Sequence, residues 1–330
     1  MEQQVLGRTG RLVSVVGLGT WQLGGDWGEV SDDDSRAVLE AALESGVTFY
    51  DTADVYGDGR SEQAIGRFLK DHADAGITVA TKMGRRVDQV PENYVLKNFR
   101  EWTDRSRRNL GVDTLDLVQL HCPPTAVYTS DELYDALDAL VAEGVMANYG
   151  VSVETTAEAL EAIKRPGVAS VQIILNAFRL KPLEEVLPAA SAAGVGIIAR
   201  VPLASGLLSG RYTKDTTFAE NDHRTYNREG KAFDVGETFS GVDFGTGVTA
   251  AAEFSALVDA MPFDLTPAQA AIAWAWQQPG VSTVIPGARN PEQARANAAA
   301  GAVPALGPLF ASNVRELYDT HFRAAVHDRW

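Results

Sequence analysis

The sequence holds a single cysteine, Cys122, so no disulfide can form within the chain. Histidine is scarce as well. The five present (His72, His121, His223, His321 and His327) are scattered, with no His-Glu-x-x-His and no Cys-x-x-Cys, so no metal site is expected. Basic residues are outnumbered, 29 against 44 acidic ones, and the resulting charge of −15 repels nucleic acid and anionic membrane surfaces. Neither is expected as a partner. No apolar run approaches the roughly 18 residues of a membrane span, and Met1-Glu2-Gln3-Gln4 lacks the basic and apolar pattern of a secretion signal. A cytoplasmic protein is the expectation. Gly17 and Gly19 follow an apolar run, but Gln22 stands where a dinucleotide fingerprint needs its third glycine, which argues against a Rossmann reading.

What is present is regular. The 330 residues are 45% hydrophobic, enough for one large core, and no linker divides them, so one domain spanning 1–330 is expected. Short β-branched runs near 14–19, 47–51, 77–82, 115–121, 146–152, 170–175, 196–202 and 281–286 read as strands, with helical patterns between them. Ser31 ahead of Asp32, Asp33 and Asp34 marks a helix start, and Gly46 its stop. Val95, Phe99 and Trp102 recur at helical spacing before Gly111. Thr266-Pro267 marks another start, and a last helix is expected near 314–325. Eight strands alternating with helices predict an α/β fold, a (β/α)8 TIM barrel. The Gly7–Gly10 turn predicts a short N-terminal β-hairpin closing its floor, and residues 212–247 a long loop after the seventh strand. The loop aromatics Tyr226, Phe233, Phe239 and Phe244 either cover a ligand or anchor the loop.

Polar residues fall at successive strand ends: Asp51 at the second, Lys82 at the third, His121 at the fourth, with Tyr56 in the loop after Asp51. Barrel active sites form at that end of the strands. An ammonium beside a phenol lowers the phenol's pKa, a carboxylate offsets the ammonium's burial, and a neutral imidazole orients a carbonyl. Such a site stabilises the alkoxide formed when hydride reaches a carbonyl, and a nicotinamide would have to supply the hydride. Each residue also has a plainer reading: a structural ion pair, a packed loop aromatic, a core histidine. Their shared location is what favours catalysis.

These residues resemble the aldo-keto reductase superfamily. Phe49-Tyr50-Asp51-Thr52-Ala53-Asp54-Val55-Tyr56-Gly57, Ala80-Thr81-Lys82-Met83-Gly84 and Asp116-Leu117-Val118-Gln119-Leu120-His121 carry the likeness, which runs through nearly the whole chain. The resemblance implies NADP(H)-dependent reduction of an aldehyde or ketone, reversibly, with Tyr56 as the acid, Lys82 and Asp51 tuning it, and His121 orienting the carbonyl. It assigns cofactor contacts to Gly19, Thr20, Trp21, Asp51, Ser152 and Gln172. Further contacts fall on the Pro202, Leu203, Ser205, Gly206 and Leu208 loop and on Gly287, Arg289, Gln293 and Asn297. Arg289, ahead of a helix start near Pro291, suits a 2′-phosphate. Arg200 stands where the family often has an aromatic ring; it is read as a contact to the cofactor or to an anionic or polyhydroxylated substrate, or as the partner of an acidic neighbour. Trp21, Trp27, Tyr56 and His121 are the substrate-pocket candidates. Two other readings stay open: a lysine-dependent aldolase acting through Lys82, and a cofactor-binding regulatory subunit with little turnover. The substrate, the physiological direction and the oligomeric state are not written in the sequence.

Overall fold

The computed structural model describes residues 1–24, 30–232 and 234–330. Two strands, β1 (Gln3–Val5) and β2 (Leu12–Ser14), pair antiparallel as the expected hairpin. Eight more form one parallel sheet in sequential order: β3 (Leu18–Gly19), β4 (Phe49–Asp51), β5 (Thr78–Met83), β6 (Leu117–His121), β7 (Tyr149–Ser152), β8 (Val168–Ile174), β9 (Gly196–Arg200) and β10 (Val281–Val284). The sheet closes on itself. Val16 bridges Val284 and Gly19 bridges Gly287, and the Gly17 and Gly19 N–H groups donate to the Val284 and Pro286 carbonyls at 2.8 and 3.0 Å. The fold is the (β/α)8 barrel. The apolar run 14–19 proves to be divided, Ser14 belonging to the hairpin and only Leu18–Gly19 to the barrel strand.

Helices clothe the barrel: α1 (Asp32–Glu44), α2 (Arg60–Asp71), α3 (Leu96–Leu110), α4 (Asp131–Ala142), α5 (Thr156–Ile163) and α6 (Val186–Ala193) follow β3 to β8 in turn. After β9 come α7 (His223–Tyr226), α8 (Phe244–Asp259) and α9 (Pro267–Trp276); after β10 come α10 (Pro291–Ala299) and α11 (Gly307–Tyr318). Their ends obey local chemistry. Ser31 and Asp34 form a reciprocal capping box on α1, as Thr266 and Gln269 do on α9. Gly111 closes α3 at φ 69°, the left-handed conformation glycine tolerates. Val95 departs from its expected place in the α3 stripe: it is the extended N-cap residue and is exposed. The long loop ends sooner than residue 247, because the Asp243 side chain accepts the Thr246 N–H and starts α8 at Phe244. The last helix starts earlier too, at Gly307 rather than near 314.

The hairpin plugs the floor. Leu6 is fully buried in a cluster with Val13 of the same hairpin and with Phe49, Ala80, Leu117, Ile198 and Ile285 of the barrel. Arg8 ties this plug to the loops beneath, donating to the carbonyls of Arg165, Pro166 and Val168 at 2.8–2.9 Å and of Ala193 at 2.8 Å. With the floor filled, the barrel opens at the opposite end, where the strands terminate and the main cavity lies. Leu6→Ala should lower unfolding stability by about 2–5 kcal/mol, as truncation of a buried leucine does; chemical denaturation would register the loss, and an unchanged midpoint would show that the plug carries no weight.

Candidate active site

Strand register brings the predicted residues together. Gly19 pairs with Asp51, Lys82 with Gln119, His121 with Ser152, and Ser152 with Gln172. All six of these side chains other than Gly19 are buried at the open end of the sheet. An ammonium has three N–H donors, and Lys82 spends each on a defined acceptor: the Asp51 carboxylate, the Thr52 carbonyl at 2.8 Å and the Tyr56 hydroxyl at 3.4 Å. The second Asp51 oxygen accepts from Gln172 at 2.7 Å and Gln119 at 3.1 Å. The pair is thus both buried and hydrogen-bonded, the condition under which a buried ion pair persists.

Tyr56 is placed by the turn that follows it. Gly57 has φ 57°, and a Cβ there would lie 1.9 Å from the Gly24 carbonyl oxygen, so only glycine permits the contact. The Tyr56 ring stacks on Trp21 at 6.0 Å and meets His121 edge-on at 6.0 Å. Burial lifts the phenol above its ordinary pKa, and Lys82 offsets only part of that. Lys82 does pull the phenol down, as expected, but burial outweighs it, so in the free protein the hydroxyl keeps its proton. Burial, then Arg85, Lys82 and Arg200, hold His121 well below the usual histidine range, so its ring is neutral. For Lys82, burial is outweighed by Asp51 and Tyr56, and its pKa rises. The arrangement sets a protonated phenol and a neutral imidazole on the wall of one cavity of about 730 Å³, with a fixed, buried cation behind the phenol.

The Aldo/keto reductase family description matches residues 15–319. The chain belongs to the aldo/keto reductase family. The oxidoreductase Rv2298 of Mycobacterium tuberculosis is 34% identical over 87% of this reductase and 84% of its own length. The glycerol dehydrogenase AKR11B4 from Gluconobacter oxydans superimposes with a TM-score of 0.77 at 29% identity, covering 94% of this chain and 93% of that one. An aldo-keto reductase from Klebsiella pneumoniae in complex with NADPH shares the fold, with a TM-score of 0.71, 23% identity and 96% coverage of both chains.

Most of the predicted contact residues line the cavity of this reductase: Gly19, Trp21, Asp51, Ser152, Gln172, Arg200, Pro202, Leu203, Ser205, Gly206, Gly287, Arg289, Gln293 and Asn297. Thr20 and Leu208 do not. Thr20 is fully buried, donating to the Asp51 carbonyl at 2.8 Å and accepting from Ser61, while Leu208 is core. The Gln172 amide is engaged with Asp51 and with Gln119. Arg200, on the cavity wall, pairs with the acidic neighbour Glu237 and donates to the Val153 carbonyl at 3.1 Å. Trp27 and Phe233 lie outside the described residues. Of the other loop aromatics, Phe239 and Phe244 pack together at 4.9 Å and anchor the loop, whereas Tyr226 is exposed.

Sequence reasoning missed Gln22, Arg85, Cys122, His223, Glu237 and Gln269, all on the cavity wall. Arg85 and Cys122 were within reach, each being one to three residues past a predicted strand end. Arg289 stands at the rim beyond β10, its N–H donating to Gln293 at 2.9 Å, while Asn297 donates to the Gly287 carbonyl at 3.0 Å. Asn290 caps α10 through the Gln293 N–H, so this rim couples a guanidinium to a helix N-terminus.

One buried acid stands behind the site. Both carboxyl oxygens of Asp54 lack a hydrogen-bond partner among the described residues. Burial, with Glu62 nearby, raises its pKa from 3.8 to about 7. Between those values the folded chain holds a proton that the unfolded chain has released, so stability falls as pH rises through the window and levels off above it. Asp54→Asn should therefore stabilise the protein more at about pH 8 than at about pH 5. Denaturation at both pH values would show it, and a difference independent of pH would mean that Asp54 ionises normally.

Proposed function

We propose that this chain reduces an aldehyde or ketone to an alcohol with NADPH, reversibly, using Tyr56 as the proton donor. The observation that carries the reading is the third N–H of Lys82, turned to a Tyr56 hydroxyl that faces the cavity beside a neutral His121. NADPH, when bound, supplies the hydride. The protein's part is proton transfer and orientation. The His121 ring donates a hydrogen bond to the carbonyl oxygen and fixes its direction. Tyr56 gives its proton to that oxygen as negative charge develops, and Lys82 stabilises the phenolate left behind. In oxidation the same phenolate takes the proton back.

The cavity wall suits a nucleotide: Gly19, Gly206 and Gly287 leave main chain bare for close approach. Arg289 and the start of α10 supply positive charge for the 2′-phosphate, which a chain of net charge −15 offers in few places. In this reading Ser152 and Gln172 take the nicotinamide end and the 202–206 loop the diphosphate, which their place on the cavity wall supports. The Klebsiella relative's NADPH and the Gluconobacter relative's alcohol-oxidising name agree with this. The aldolase reading loses support, because a Schiff base needs a neutral amine and Asp51 keeps Lys82 charged. A purely regulatory subunit would not need the complete proton-transfer set.

Tyr56→Phe should lower kcat by about 10²–10⁴-fold, the usual contribution of a positioned acid, with NADPH affinity by tryptophan fluorescence nearly intact. Retained turnover would remove Tyr56 from its role. Arg289→Ala should weaken NADPH at least about tenfold more than NADH, an effect of one lost charge-assisted contact; equal losses would show that Arg289 does not read the 2′-phosphate.

A further inference from the structure

The loop after β9 has a backbone that does not hold itself. Val201, Ala204 and Ser205 have φ of 55°, 47° and 57°, the left-handed region that side chains other than glycine rarely occupy and that makes a β-branched residue an outlier. Gly206 continues the run at 94°. Such a stretch persists only where its surroundings impose it. From the barrel side Asn176 donates to the Val201 carbonyl at 2.9 Å. From the other side the Ser205 hydroxyl donates to the Glu237 carbonyl and accepts the Phe239 N–H at 3.2 Å. Phe239 and Ser240 are themselves left-handed, at φ 51° and 56°. One strained stretch is thus fastened to another, and the pair needs a fixed point of its own.

Arg179 supplies that point. It is fully buried, and its Nη2 donates to the Glu154 carbonyl at 2.6 Å. The guanidinium lies over the Trp330 ring at 3.7 Å, and Nη1 stands 3.7 Å from Asp234. Nε and Nη1 make no hydrogen bond among the described residues, so this cation leans on the Asp234 charge and the indole face. Trp330 is held in turn, its carbonyl accepting the Thr156 hydroxyl at 3.1 Å. Gly236 fills the remaining space so closely that a Cβ there would lie 2.4 Å from Arg179 Nη1 and 2.7 Å from the Trp330 ring. The segment between α7 and α8 therefore docks at one end on the Arg179–Trp330 stack and at the other on Ser205.

Neither Arg179 nor Trp330 lines the cavity. We propose that these two are positioning residues for the cofactor. Through Asp234 and Gly236 they fix the 234–239 segment, and through Ser205 that segment keeps the 201–206 loop in the left-handed shape in which it meets the diphosphate. This rests on the NADPH reading above. Folding has then already ordered the loop, binding does not have to, and affinity gains by the ordering cost avoided. A stack that served stability alone would leave the NADPH affinity of the folded protein where it was.

The test joins calorimetric titration with NADPH to hydrogen exchange. Trp330→Ala should weaken NADPH about tenfold, as loss of a preordered loop does, and speed exchange across 201–206 and 234–241 while β5 and β6 exchange as before. Trp330→Phe keeps a flat ring beneath the guanidinium and should stay within about threefold of the unaltered protein. Gly236→Ala disturbs the same joint from the segment's side and should match Trp330→Ala; it carries the test if Trp330→Ala fails to fold. The double variant should bind within about twofold of either single one, since both break one contact. Full NADPH affinity in folded Trp330→Ala or Gly236→Ala overturns the assignment. So does a loss accompanied by equally faster exchange in β5 and β6, which is general destabilisation. No NADPH binding by the unaltered protein overturns the cofactor reading and this one with it, whereas binding that neither variant weakens overturns only this one.

Discussion

The buried pair of Lys82 and Asp51 is the constraint to which the rest of the open end conforms. Removing two charges from water is costly unless every lone pair and proton finds a partner. Here that requirement recruits β4, β5, β6 and β8 at once, through Asp51, Lys82, Gln119 and Gln172. It also uses the chain itself, since the Thr52 carbonyl takes one ammonium proton. The remaining donor direction is thereby fixed by elimination, and it points at Tyr56. The proton transfer proposed for the phenol would then be a by-product of satisfying a buried cation.

How much of this could be read from the residues depends on the range of the interaction concerned. Strand ends were legible, because β-branched runs and the barrel rule together place Asp51, Lys82 and His121 on one rim, and the structure has them there. Helix starts at Ser31 and Thr266 were legible for the same reason: a cap acts over three residues. Val95 misled, since it stands four residues before Phe99 and satisfies helical spacing, yet its backbone is extended. The direction of the Tyr56 pKa also escaped, because it balances burial against a neighbouring charge and burial is a property of the closed barrel. Glu237 escaped altogether. It meets Arg200 across 37 residues of chain, within a loop with no periodicity to align it.

That loop divides its labour. Tyr212, Phe218, Phe239 and Phe244 form an apolar knot with ring separations of 4.9–6.5 Å, which holds the segment to the barrel. The polar residues between the aromatics then reach the cavity from fixed points. From the same excursion His223 reaches to 5.7 Å from Trp21, and burial brings its pKa down to about 4, so it too is neutral near pH 7. The cavity is therefore walled by strand ends on one side and by an ordered excursion on the other.

The contact between Gly24 and Gly57 has a consequence for how such a pocket can diversify. With the two backbones touching, the loop that presents Trp21 and the loop that presents Tyr56 form one mechanical unit. A backbone change made to widen the pocket at Trp21 would displace Tyr56 as well. New substrates are then most readily accommodated by exchanging side chains in place, or, its anchors on Arg179 and Ser205 kept, by rewriting the segment between α7 and α8, which brings Glu237 to the cavity. The fold thus leaves one wall free to vary and binds the other to its reaction.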